Sequence, residues 1–417
     1  MPSFWRPSPC EAADWEVFLM FVSQTHLPPL LNTSHYTDPA FHQLEVDRLF
    51  LPAWHCLAMW DQFPHDGDYH TVELFGRPLI LWRTQDRIRT FLNVCSHRFC
   101  LLTNKARGRF QDRMKCQYHG WEYDCEGNTC RIPDAQSFRP LKKGELGLRE
   151  YRTEQLGQLV FVTLNDEAPA LEEYLGVDLV EMCQQRFSLQ HRITYTWDHI
   201  APCNWKVMIE NLLESYHIES VHPKTFKRYP VPEHCSHTFH PTYDYYIHDY
   251  RDEPDSVAPE KLFCRLTGYP LDLKWRHILR YPSIAVAGAG PWYYFQQAFP
   301  ITPQSCRIQS FVMHYAGPRG RWDTFLLHRV LKRLGTWAGR QINREDAGVF
   351  PSIQRGTASP DRPHGGGLIS AREERVFAFQ EFVLRATGQP LPDGHVPIGE
   401  RRTADPQPVA EPAGVRS

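Results

Sequence analysis

Two short cysteine–histidine pairs constrain this chain more than anything else in it. Cys95-Ser-His97 is followed, after an eighteen-residue gap, by Cys116-Gln-Tyr-His119. Four ligand-type residues at two short spacings ask for two loops that meet on one centre. Short strand-like runs surround them: HTVELF, RPLILWRT and IRTFLNV, with turn signals around Gly76-Arg77-Pro78 and Thr84–Asp86, then further runs through 113–133 and near Gln158–Leu164. The loops therefore belong to a small antiparallel β domain. Two thiolates on one iron and two imidazoles on the other make a [2Fe–2S] centre of raised potential. A Cys2His2 zinc site uses the same ligand types. Zinc fingers, however, usually keep Cys with Cys and His with His, and here each loop mixes one of each.

A second ligand set lies downstream. Residues 204–223 read NWKVMIENLLESYHIESVHP. Trp205, Met208, Ile209, Leu212 and Tyr216 recur at helical intervals, which predicts a helix over about 203–218. Glu210, Glu214 and His217 fall at i, i+4 and i+7 and would share one face. A polar stripe on a buried helix is costly unless it is paired or binds metal. An amphipathic surface helix would account for one histidine, but not for His222 as well, immediately before Pro223. Regular helix geometry separates His222 from His217, so their convergence needs a π-type bulge or a helix end at Pro223. Two histidines and a carboxylate with open positions form the non-heme Fe(II) facial triad.

NVCSHR and CQYHGWEYDCEG resemble the Rieske loops of the ring-hydroxylating oxygenase alpha subunits, which read Cys-x-His-Arg-Gly and Cys-x-Tyr-His-Gly-Trp. Phe99 stands where that family usually has glycine, so the first loop must turn without glycine's freedom. Cys100 falls where respiratory-chain Rieske proteins have a disulfide cysteine. The partner position is Tyr118, so the resemblance implies no loop disulfide. REDAGVFPSIQRG at 344–356 resembles the family's Asp-containing helix, with Gln354 and Gly356 also matched. That likeness assigns Asp346 as the third ligand, with Glu345 the nearest alternative and otherwise a solvated helix charge. Glu214 matches the family's carboxylate that bridges the two metal centres between subunits. Most aromatic-ring dioxygenases have Asp there; Glu resembles the carnitine-, betaine- and choline-like monooxygenase branch.

The resemblance spans about residues 35–385 and implies an α+β chain. An N-terminal arm and helix would occupy 1–50, with helical spacing running on to residue 55. A Rieske [2Fe–2S] domain would follow at 51–165, then a helix-plus-antiparallel-sheet catalytic domain of helix-grip, START-like type at 166–387. In that domain strands are expected near 241–249, 277–286 and 292–315, and a long helix near 322–350. Residues 388–417, with six prolines, are expected to be a disordered tail. The family's pattern places the cluster on Cys95, His97, Cys116 and His119, and a mononuclear Fe(II) on His217, His222 and Asp346. O2 is the co-substrate, and electrons come ultimately from NAD(P)H through a separate flavin or iron–sulfur reductase, with or without a ferredoxin. A homotrimer, with or without a small beta subunit, would set one chain's cluster beside the next chain's iron across Glu214. The expected reaction is hydroxylation or oxidative N-dealkylation of a small organic substrate such as a quaternary amine. The alternative is aromatic-ring mono- or dioxygenation; a pure electron carrier would need no open iron site. Tyr243–Tyr246 and Trp292–Phe295 are candidate pocket walls.

A formal net charge of −2 asks for neither nucleic acid nor an anionic membrane as partner. No stretch reaches the roughly 18 apolar residues of a membrane span. The run VFLMFV at 17–22 is short for a signal peptide and follows Glu11, Asp14 and Glu16. A cytoplasmic location is expected. Twelve cysteines over 417 residues do not make a disulfide framework, and Cys183, Cys264 and Cys306 read as buried thiols.

Overall fold

A computed structural model describes residues 25–400 apart from 143, 226–229, 231, 318–321 and 364–366, together with 18, 19 and 23. Residues 1–17, 20–22 and 24 of the expected N-terminal arm and residues 401–417 of the expected tail lie outside the described residues. Of the run at 17–22, Phe18–Leu19 forms strand β1.

Helices α1 (Thr33–Thr37) and α2 (Pro39–Glu45) open the chain, and a π-helical turn, Val46–Phe50, extends α2. Asp38 caps α2 by accepting from Ala40 N at 2.8 Å, and Pro39 fills the first helical position. The helical spacing expected as far as residue 55 stops earlier, because strand β2 (Trp54–Met59) begins there.

The strands β3 (Asp68–Leu74), β4 (Arg77–Thr84), β5 (Arg87–Leu92), β6 (Arg107–Arg109), β7 (Met114–Lys115), β8 (Glu122–Tyr123), β9 (Thr129–Arg131), β10 (Glu150–Tyr151), β11 (Thr153–Leu156) and β12 (Leu159–Thr163) follow. They form three antiparallel sheets, ordered β10-β5-β4-β3-β6, β11-β12-β2 and β7-β8-β9. The unbroken apolar run in β4 has a simple cause. Leu79 and Leu81 enter one core with Leu57 and Val160, while Ile80 and Trp82 enter another with Cys95, Cys116 and Trp121.

Past β12 come α3 (Leu171–Leu175), α4 (Val177–Arg186), β13 (His191–Ala201), α5 (Trp205–Leu212), α6 (Ile218–Val221), β14 (Cys235–Phe239), β15 (Tyr243–Asp249), α7 (Pro254–Thr267), β16 (Lys274–Arg280), β17 (Ile284–Ala289), β18 (Trp292–Thr302), β19 (Ser305–Tyr315), α8 (Trp322–Thr357) and α9 (Glu374–Thr387). An eight-stranded sheet, β1-β14-β15-β16-β17-β18-β19-β13, carries them. One face buries Val286, Phe295 and Met313 against α3 and α4. The other buries Leu279, Ala285 and Ile308 with residues of α5, α8 and α9. The stretch expected as one strand at 277–286 is two strands, since Pro282 offers no N–H for a ladder.

The helix expected over 203–218 breaks after Leu212. The Glu214 carboxylate accepts from the backbone N–H of Tyr216 and of His217, competing with helical bonding. Helices α1 and α2 pack on this segment. Lys206 Nζ donates to Glu45 Oε1 at 2.6 Å with both side chains fully buried. The same ammonium lies 5.1 Å from the Tyr36 ring and 5.2 Å from that of Trp205. Residues 388–400, expected as the start of the disordered tail, are docked instead. Ile398 is buried, and its N–H and the His395 ring both bond the Glu381 carboxylate.

Candidate metal centres

The two Cys/His loops have matching backbones. Cys95 N donates to Cys100 O at 2.8 Å and Phe99 N to Cys95 O at 3.0 Å; Cys116 N donates to Trp121 O at 2.8 Å and Gly120 N to Cys116 O at 3.2 Å. The residue four past each cysteine is left-handed, Gly120 at φ 70° and Phe99 at φ 58°. Phe99 thus takes the conformation glycine would supply, and its ring is exposed.

Cys95 and Cys116 are both buried, with the Tyr123 hydroxyl 3.0 Å from Cys95 Sγ. The rings of His97 and His119 lie 4.6 Å apart, and His97 stacks flat on Trp121 at 4.9 Å. His97 Nδ1 is buried without a hydrogen-bond partner among the described residues. Buried ring nitrogens rarely go unpaired, and one beside two buried thiols fits the donor set of a [2Fe–2S] cluster. Cys100 carries a free thiol.

The second set converges despite its spacing. The helix break lets His217 head α6 and His222 end it, and Asp346 on α8 meets both. His222 Nε2 lies 3.0 Å and His217 Nε2 3.7 Å from Asp346 Oδ1. One ligand atom from each residue falls within 4.8 Å of the others. The remaining ring nitrogens are held by carboxylates: His217 Nδ1 by Glu214, and His222 Nδ1 by Glu345 at 2.9 Å. Such pairing fixes each ring with Nε2 toward a metal. Burial opposes charge on His222, but Asp346 and then Glu345 lift its pKa above the ordinary value. Two imidazoles and one carboxylate suit a divalent metal of the Fe(II) kind.

Two sequence readings change here, and one residue is added. Glu210 does not share the His217 site; its carboxylate accepts from Tyr36 Oη at 2.5 Å and Gln380 Nε2 at 2.9 Å. Glu345 is no solvated helix charge: besides His222 it accepts from Gln341 Nε2 at 2.6 Å. Asn211, which sequence reasoning passed over, places Nδ2 3.3 Å from both His217 Nε2 and Asp346 Oδ1. Its place one turn before Glu214 was the available signal.

On the sheet face shared with α5, α8 and α9, β17 carries Ala285, Ala287 and Ala289, which pair with Gln296, Tyr294 and Trp292 of β18. On the β16 side Leu279 and His277 pair with Ala285 and Ala287, and Trp275 lies beyond them. Leu279, Ala285, Ala287, His277 and Gln296 are buried, while Trp275, Tyr294 and Trp292 are half-buried. Burial and then the Asp346 charge raise the Tyr294 pKa, while the Arg375 charge opposes them. Of the candidate walls, Tyr246, Trp292 and Tyr294 share this face, whereas Tyr243, Tyr293 and Phe295 sit in the core behind the sheet.

Two family descriptions match the chain: "Rieske [2Fe-2S] domain" over residues 53–152, and "Ring hydroxylating alpha subunit (catalytic domain)" over 188–389. The chain is a Rieske oxygenase alpha subunit. Relatives of this oxygenase include the alpha subunit of 2-aminobenzenesulfonate 2,3-dioxygenase from an Alcaligenes species, 27% identical over 69% of this chain and 74% of that one. Choline monooxygenase of Spinacia oleracea is 25% identical over 80% of this chain and 72% of its own. The fold is shared with the quaternary ammonium Rieske monooxygenase CntA bound to L-carnitine, at TM-score 0.66 and 18% identity over 87% of this chain and 96% of that one. The oxygenase is an oxidoreductase of a family that carries a Rieske cluster and a non-heme iron, works with reductase or ferredoxin partners, and forms multimers. Among its described residues no helix is long and apolar enough to cross a membrane.

Proposed function

We propose that this oxygenase hydroxylates or oxidatively N-dealkylates a small quaternary amine held against the aromatic side chains of β16 and β18. The observation that carries the reading is the group of half-buried aromatics on one sheet face, Trp275, Trp292 and Tyr294, with the Trp275 and Tyr294 rings 6.3 Å apart. Aromatic faces attract a cation that cannot donate a hydrogen bond.

In this reading Cys95, His97, Cys116 and His119 hold the [2Fe–2S] cluster, and His217, His222 and Asp346 hold Fe(II). When bound, the two groups supply electrons and O2 activation, the electrons coming from NAD(P)H through a reductase. The chain's own contribution is positioning. Glu214 and Glu345 fix the two imidazoles, Asn211 braces His217 against Asp346, and the aromatic walls keep water from the substrate. Glu214, beside the exposed Tyr216, would also accept from a cluster histidine of a neighbouring subunit in a cytoplasmic homotrimer.

A second reading, oxygenation of an aromatic ring, is favoured by the likeness to 2-aminobenzenesulfonate 2,3-dioxygenase. Oxygen uptake with a surrogate reductase over a panel of quaternary amines and aromatic acids separates the two. Formaldehyde or a hydroxylated amine is expected; ring diols from aromatics, with no uptake on any amine, would replace the first reading with the second.

A further inference from the structure

Residues 93–120, the two Cys/His loops and the chain between them, hold six Lys or Arg and one Asp in a chain whose formal net charge is −2. Two of these cations are neutralised locally: Arg109 pairs with Asp68 at 2.8 Å and Arg113 with Glu122 at 3.3 Å. Arg98, Lys105, Arg107 and Lys115 are exposed and form no ion pair among the described residues. Loop contacts gather them at the cluster end. The Arg98 guanidinium lies 5.9 Å from the Tyr118 ring, whose centroid is 3.6 Å from that of His119. Asn104 Nδ2 donates to Gln117 Oε1 at 3.3 Å, which sets Lys105 beside the second loop. Lys115 adjoins Cys116, and Arg107 lies in β6, the outer strand of its sheet.

Among these charges stand two exposed aromatic rings, Phe99 at 80% and Tyr118 at 58% exposure, next to the exposed His119. Phe99 holds its ring out from a left-handed backbone, φ 58°. Glycine would take that turn without strain, so one residue bears both a strained backbone and a ring that gains no burial within the chain. Strain of this kind collects at functional sites.

We infer that this face is the docking site of an acidic electron-transfer protein, with Phe99 and Tyr118 as its apolar centre and Arg98, Lys105, Arg107 and Lys115 as its basic rim. The inference rests on the reading of Cys95, His97, Cys116 and His119 as cluster ligands and extends it to the partner that reduces the cluster. Unpaired cations steer an anionic partner, and an aromatic anchor at the centre of the contact holds it. Charge also decides between occupants. The segments that carry the iron ligands, 216–225 and 340–356, expose Lys224, Arg340, Arg344 and Arg355 against Glu219 alone. A second copy can therefore offer Glu214 to a cluster histidine, but no counter-charge to this rim.

Stopped-flow reduction of the cluster by a reduced, acidic plant-type [2Fe–2S] ferredoxin tests this, with photoreduced deazaflavin as a small reductant that needs no docking. An all-cysteine cluster lies at lower potential than an imidazole-ligated one, so the electron runs downhill. The wild-type rate with ferredoxin should fall about tenfold between about 20 and about 200 mM salt. Lys105→Glu combined with Arg107→Glu should slow ferredoxin reduction about tenfold at low salt and flatten the salt dependence, with the deazaflavin rate unchanged. Phe99→Gly should weaken the ferredoxin complex about tenfold yet keep the salt dependence. A salt-independent wild-type rate, or a double variant reduced as fast as the wild type, overturns the inference. So does loss of the chain's own oligomer in these variants with ferredoxin reduction unaltered, which would give the face to a second copy. A wild type that lacks the cluster spectrum, or that deazaflavin cannot reduce, overturns the cluster reading and this inference with it.

Discussion

Replacing Glu345 by Ala removes the carboxylate that accepts from His222 Nδ1 at 2.9 Å, and nothing else that faces the three convergent ligand atoms. The ring would then be free to turn, and it would lose the negative partner that strengthens Nε2 as a donor to metal. Loss of such a partner typically costs about 10–100-fold in metal affinity, or about 1.4–2.7 kcal/mol. Glu345 sits near the upper part of that range, because its side chain is only 13% exposed and Gln341 and Thr225 aim it. Asp346→Ala should instead abolish iron binding, since it removes a ligand. The assay is competitive chelator titration of Fe(II) with each protein, with the cluster spectrum as a control on the other centre. Wild-type affinity in Glu345→Ala would show that the bond to His222 does no positioning. Full iron retention in Asp346→Ala, with loss in Glu345→Ala, would move the ligand by one residue.

Glu214→Gln should keep normal iron content and normal reduction by the reductase but lose most electron delivery. In a single-turnover experiment, wild-type reoxidation of the pre-reduced cluster with coupled product would refute the bridging role. Phe99→Gly should raise stability by about 1 kcal/mol, because a left-handed non-glycine residue is strained and the lost ring is exposed. A lower melting temperature for the cluster-loaded protein would count against strain at φ 58°. Metal affinity should weaken as pH falls through the raised pKa of His222, because metal needs the neutral imidazole and the proton competes. Above that value affinity should level off, and a Kd unchanged from pH 8 to pH 5 would contradict the arrangement.

The two cysteine–histidine loops and the sheet-with-helices plan were legible because residue types at fixed spacing and apolar periodicity are local properties. What escaped was set by competition between local and distant partners. Periodicity ran a helix through Leu213 because it counts apolar positions; it cannot register that Glu214 takes the N–H groups of Tyr216 and His217. Glu210 looked like a member of the polar stripe, yet its partners Tyr36 and Gln380 are 174 and 170 residues away along the chain. Glu345 and Asp346 are neighbours on one helix and both reach His222, and spacing alone could not tell that Glu345 meets its Nδ1 and Asp346 its Nε2. The stretch 388–400 looked unable to fold by composition, but a single isoleucine and the bonds to Glu381 hold it down.

The buried pairing of Lys206 with Glu45 bears on how this oxygenase can be taken apart. Glu45 precedes the [2Fe–2S] region and Lys206 follows it, so that region is strung like a loop between two stretches that clasp each other. A truncated chain begun at residue 51 to isolate the iron-binding half would leave the Lys206 ammonium facing no carboxylate at the foot of the helix that leads to His217. An unpaired buried charge of this kind costs about 3–5 kcal/mol, a large part of a protein's whole stability. Exchange of electron-entry modules between oxygenases should therefore be done as a cassette, cut between Phe50 and β2 on one side and after β12 on the other, with residues 25–50 left on the recipient.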